Sequence, residues 1–223
     1  MLSFAIGTLL GGAFLALIPH ALASPGVEDF HDVTLTILLG IISFFLLEKL
    51  VLWRHCHVEH CDAHGIEHVH LNKPADASSV LIVIGDGLHN FVDGILIAAA
   101  FLTDFHLGVI TSVAIAAHEV PQEVGDFIVL LQSGMRRRRA LLLNLMSGMT
   151  SVVGAIVAYY ALSSVNHLVP YVLAVAAASF IYIAVADLIP GLHKSLDLKT
   201  TLQQLVLISA GILLIFFSHS TLH

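Results

Sequence analysis

Nine side chains able to ligate a metal ion stand in two short stretches of an otherwise apolar sequence. Asp86, His89, Asn90 and Asp93 occupy the first, and His118, Glu119, Gln122, Glu123 and Asp126 the second. Residues three and four apart share one face of a helix, so His89 lies one turn from Asp93, with Asn90 beside them. His118 lies one turn from Gln122, and Glu119 one turn from both Gln122 and Glu123. Two such faces brought together offer imidazole and carboxylate at adjacent levels, a donor set that suits Zn²⁺ and its first-row neighbours. Simple pairing across a helix interface is the plainer reading. It accounts for one His or Asn better than for nine such residues, because a carboxylate in hydrocarbon is costly without a compensating cation. A different chemistry is suggested by His118-Glu119-x-x-Gln122, which approaches the H-E-x-x-H of a metalloprotease. Gln122 in the second His position and Pro121 within the segment weigh against it, and no enzyme activity is expected.

The elements that must position these residues are membrane spans. Hydrophobic residues make up 57 % of the 223 and charged residues 11 %, against roughly a quarter charged in soluble domains. Seven apolar runs approach the ~20 residues a transmembrane helix needs: 2–23, 33–53, 79–102, 108–134, 140–162, 168–191 and 201–219. The fold expected is all-α, a single polytopic transmembrane bundle over 1–223. The nine basic residues test this division. Lys49, Arg54, Lys73, Arg136 to Arg139, Lys194 and Lys199 all fall at alternate joints, hence on one side. By the positive-inside rule that side is cytosolic, and the N-terminus with it. Pro121 removes a backbone hydrogen bond and predicts a kink at the ligand level of the fourth span.

Two echoes run through the chain. Ala16-Leu17-Ile18-Pro19 ends the first span and Asp187-Leu188-Ile189-Pro190 the sixth, and these spans cross in opposite directions. The polar faces of the third and fourth spans form the second antiparallel pair. Such pairs predict an inverted-repeat architecture with its substrate site at the repeat interface.

Outside the spans, the joint at 55–77 carries His55, His57, His60, His64, His68 and His70 together with Cys56 and Cys61. Such tracts bind metal by composition, without a unique geometry; a solvated loop of incidental histidines is the alternative. Asp187 and His193, at the cytosolic end of the sixth span, are exit-side metal candidates, as is Asp126, though water at a helix end also satisfies such groups.

At these residues the sequence resembles the ZIP (Zrt-, Irt-like) metal transporter family. "HNFVDG" at 89–94 is similar to the family's fourth-helix motif, and "HEVPQEVGD" at 118–126 to the fifth-helix HEXPHEXGD of its histidine-rich subgroup. Leu2 to Ala21 resembles the second helix and "FFLLEKL" at 44–50 the third. The resemblance implies a divalent-cation importer of eight helices with two adjacent metal positions. One would use His89, Asp93, His118 and Gln122; the other Asn90, Asp93 and Glu119, helped by Gln122 or Glu123. The seven spans correspond to family helices two to eight, which agrees with an N-terminus inside. Gln122 departs from the His or Glu of many members, and a neutral amide binds metal more weakly.

The function expected is therefore import of a divalent ion, zinc before Fe²⁺, Mn²⁺ or Cd²⁺, across a plasma (inner) membrane. A metal-binding sensor or remnant that does not transport is the alternative from another class. The bilayer and the metal ions are the expected partners, a homodimer is compatible with the bundle, and no nucleic acid is expected.

Overall fold

The computed structural model describes residues 1–25, 27–58, 75–193 and 197–220, with 51–58, 75–82 and 219–220 described by backbone alone. Among the described residues there is no strand. Seven long helical segments follow one another: α1 (Leu2–Ala23), α2 (Phe30–Val58), α3 (Ala75–Thr103), α4 (Phe105–Gln132), α5 (Arg137–Leu162), α6 (Asn166–Leu192) and α7 (Leu198–Ser220). Six of them are long and apolar enough to cross a membrane. The other, α4, has 28 residues but carries Glu119, Glu123 and Asp126. The chain is an integral, multi-pass membrane protein, and its exposed Leu, Val, Ile and Phe side chains are the surface such a bundle turns to lipid.

Burial separates inner from outer helices. The apolar windows of α1 and α6 are 61 % and 50 % buried, those of α2 and α7 only 11 % each. The inner helices also share a local irregularity. α1 widens into a π turn over Gly12–Leu17 and α6 into another over Ile183–Leu188. Each is followed at once by Ile-Pro, Ile18-Pro19 and Ile189-Pro190. A proline ring clashes with the carbonyl four residues before it and donates no hydrogen bond. A turn closed one residue wider takes up that misfit without breaking the helix.

The helices that carry the polar faces are held by two devices. At the α3–α4 joint, Asp104 caps α4, accepting from the backbone N–H groups of His106 at 2.8 Å and Leu107 at 3.0 Å. The Leu107 N–H chiefly holds its carboxyl below the ordinary range. α4 then continues as one α-helix through Pro121.

Behind α3 lies α5, packed through small residues as membrane helices commonly are. A Cβ on Gly94 would lie 1.9 Å from the Ser151 carbonyl oxygen, and one on Gly154 2.1 Å from that of Phe91. About a turn before these contacts the Thr150 hydroxyl reaches the Gly87 carbonyl at 2.5 Å and the Ser147 carbonyl at 2.6 Å. Competition of this kind with the helix ladder accompanies the break of α5 at Met149, between Arg137–Gly148 and Thr150–Leu162. Gly94→Leu is therefore expected to force α3 and α5 apart and to lower the melting temperature of the purified protein by many degrees. Gly85→Ala, where nothing lies within 4 Å of the added carbon, is expected to leave it unchanged or slightly raised. Circular-dichroism melts of the two variants check both.

Candidate metal centre

His89 and Asp93 project from successive turns of α3, and His118 and Glu119 from adjacent positions of α4. The Nε2 of His118 lies 3.4 Å from Asp93 Oδ2 and 3.3 Å from Glu119 Oε1. The Nε2 of His89 lies 3.2 Å from Glu119 Oε1 and 3.9 Å from Asp93 Oδ2. One ligand atom from each of the four fits within a 4.8 Å cluster. A tetrahedral Zn²⁺ with N and O ligands at about 2.0–2.1 Å sets those atoms roughly 3.3 Å apart. Three of the four measured separations have that value to within about 0.1 Å.

The surroundings strip these groups of other partners. Asp93 is 1 % exposed and His118 3 %. Both oxygens of Asp93, both of Glu119, and the Nε2 atoms of His89 and His118 are buried without a hydrogen bond. Buried polar atoms are nearly always satisfied, and buried carboxylates need a compensating charge. Among the described residues no Lys or Arg reaches them; their ion-pair contacts are with the two imidazoles. His118 Nδ1 lies 3.2 Å from the Ala114 carbonyl oxygen. A proton donated there turns Nε2, the nitrogen facing the cluster, into an acceptor, as for many metal-bound histidines. Phe180 of α6, fully buried, meets the His118 ring edge-on and closes that side.

A second group adjoins the first. Asp86, Glu119 and Glu123 can also converge on one ion, so Glu119 is common to both groups. Amides hold Asp86 in place. Asn90 Nδ2 donates to its Oδ1 at 3.1 Å and to its carbonyl at 3.2 Å, and Gln122 Nε2 lies 3.4 Å from the same Oδ1. Gln122 thus reaches Asp86, and Glu119 joins His89, Asp93 and His118 in the first cluster. Asp86 belongs to the polar face of α3 but not to the ligand set that the resemblance implies. Its distance of three residues from His89 and seven from Asp93 is the signal that would have added it.

The remaining residues lie further off. Asp126 is half-buried, one turn beyond Glu123, and its charge interacts with Asp86 and Glu119. Asp187, in the π turn of α6, is exposed and interacts electrostatically with His89 and with Glu48 of α2. The Tyr182 hydroxyl donates to that same Glu48, a residue the ligand assignment left out. His193 is exposed at the end of α6. His55 and His57 fall where the backbone alone is described, and His60, His64, His68 and His70 lie outside the described residues.

Residues 54–219 match the family model described as ZIP Zinc transporter. The chain is 31 % identical over 261 residues to zinc transporter ZIP13 of Homo sapiens, covering 98 % of this chain and 70 % of that protein. It is 34 % identical over 231 residues to ZIP13 of Pongo abelii, covering 98 % and 66 % respectively. With zinc transporter ZIP4 of Homo sapiens it shares 42 % identity over 117 residues, 52 % of this chain and 18 % of the other. The chain thus spans about two thirds of the length of its ZIP13 relatives and a much smaller part of ZIP4. With the match running through both polar helices, the chain belongs to the ZIP zinc transporter family.

Proposed function

We propose that this chain carries a divalent metal ion, zinc first, across a membrane between α3 and α4. The observation that carries the reading is the meeting of His89, Asp93, His118 and Glu119 with six unpartnered buried atoms at separations that suit a tetrahedral ion. The ion is the substrate. It sheds water onto this cluster, and the carboxylates supply the charge that replaces its hydration. Asp86, Glu119 and Glu123 form the neighbouring position, and Glu119, common to both, passes the ion along. Asn90 and Gln122 hold Asp86 rather than lead the coordination. Two imidazoles favour zinc over the harder Mn²⁺, while Fe²⁺ and Cd²⁺ remain competitors on donor chemistry alone.

In this reading α4 is the seventh crossing, its charges tolerated because they face the bundle interior. The matched π turns and the equal burial of α2 and α7 support an inverted repeat that pairs α1 with α6, α2 with α7 and α3 with α4. In the same reading the membrane is a plasma (inner) membrane, and the N-terminus and the histidine-rich segment lie on its cytosolic side, which the one-sided basic joints support. Import then carries the ion past Asp126, Asp187 and His193 toward that segment. Ligands that lose protons on binding metal allow the ion's own gradient or a coupled proton to drive the cycle.

Asp93→Asn keeps the side chain's shape and removes its charge. In a chain whose six loop histidines are replaced by Gln, it is expected to weaken zinc binding by more than the roughly 10- to 100-fold that loss of a supporting partner costs. Gln122→Ala is expected to weaken it less. Titration calorimetry with Zn²⁺ checks both, and equal losses would contradict the placement of Glu119 in the cluster. For transport, zinc uptake into proteoliposomes holding the full chain is expected to fall to background when His89→Ala and His118→Ala are combined. Uptake that survives the double substitution would show that the ion takes another path.

A further inference from the structure

A shallow apolar groove of about 400 Å³ runs along the outer side of the α3–α5 contact, within the roughly 300–1,000 Å³ of ligand sites. Ile84 and Leu88 of α3 form one wall, and Leu143, Met146 and Val153 of α5 the other. Ile84, Leu88, Met146 and Val153 are each more than half exposed, so the groove opens outward. Its floor includes Gly87, where an added Cβ would meet nothing closer than 3.7 Å. The two helices therefore do not need a glycine there to approach. The missing side chain is what leaves room.

Charge stands at one end of this groove and nowhere along it. Arg139, Leu143, Met146, Thr150 and Val153 follow one another at spacings of four, three, four and three, so they share one face of α5. Arg139 is one turn, about 6 Å along the axis, before the first apolar wall residue. It is exposed, as are Arg136, Arg137 and Arg138, and among the described residues none of the four has an acidic partner. An apolar trough ending in exposed guanidinium groups with no acidic partner among the described residues is complementary to one kind of molecule. It takes an acyl chain along its length and a phosphate at its mouth, where guanidinium forms bidentate hydrogen bonds.

We infer that this groove binds one anionic phospholipid, its acyl chain between α3 and α5 and its phosphate at Arg139. The site requires only that the bundle sit in a bilayer and does not depend on the transport reading. It bears on the metal helices nonetheless. Thr150 lines the groove and bonds the Gly87 carbonyl, in the turn of α3 that carries Asp86, His89 and Asn90. The seated chain braces that turn from behind.

The test is native mass spectrometry of the full chain released from nanodiscs of equal phosphatidylglycerol and phosphatidylcholine with matched acyl chains. One phosphatidylglycerol is expected to be retained, preferred by about fivefold or more, the order one basic residue contributes at a charged membrane surface. Arg139→Gln is expected to abolish the preference. Met146→Trp, which fills the groove and leaves every arginine, is expected to abolish retention of either lipid. Val153→Phe narrows the far end and stands in for Met146→Trp if that variant melts early. Preference that survives Arg139→Gln, or retention that survives a filled groove in a variant that melts like the parent, overturns the assignment.

Discussion

Two carboxylates, those of Asp93 and Glu119, lie buried opposite two imidazole nitrogens with no hydrogen bond on any of the six atoms that converge. Removing such charges from water is expensive, and pairing with imidazole recovers only part of the cost. The rest of the bundle serves to keep this arrangement in place. In the proposed reading, a cation that divides its charge among the four groups supplies the missing compensation. That requirement explains why the donors come from two helices: neither α3 nor α4 alone presents both imidazoles and both carboxylates to one point.

Holding two polar helices face to face in an apolar medium needs support on their outer sides. For α3 it comes from α5, whose approach at Gly94 and Gly154 puts backbone against backbone. For α4 it comes mainly from α1, with the Phe180 ring of α6 against His118. Gly12 of α1 leaves space for the Phe180 ring, which in turn walls His118. The π turns of α1 and α6 begin beside these contacts, at Gly12 and at Ile183. The widened turns therefore border the site rather than decorate the periphery, as π turns often do at functional sites. In the proposed reading Glu119 ligates the ion, and the likeness of His118-Glu119-x-x-Gln122 to a protease helix then loses its general base.

Much of this was legible in the sequence. Apolar run lengths and the one-sided basic residues gave the helices to within a few residues, because span length and hydrophobicity are tightly coupled in a bilayer. The ligand faces of α3 and α4 were visible from spacings of three and four. What spacing on one helix does not determine is rotation toward the neighbour. Glu119 and Gln122 both lie one turn or less from His118, and which of them meets His89 is decided by tertiary packing. The meeting of Asp86 with Glu119 and Glu123 depends on the same rotation. The Ile-Pro echo pointed to paired helices, but the π turns that precede both prolines depend on backbone hydrogen bonds that residue types do not encode. Pro121 sits within α4, whose helical hydrogen bonding continues on both sides of it.

The central claim is the location of the ion. Anomalous diffraction at the zinc absorption edge, from crystals of the full chain grown with Zn²⁺, tests it without reference to transport or to the histidine-rich segment. A peak about 2.0–2.2 Å from His89 Nε2, His118 Nε2 and one oxygen each of Asp93 and Glu119 is the predicted result. Zinc density elsewhere in the protein, with none between these four side chains, would contradict it.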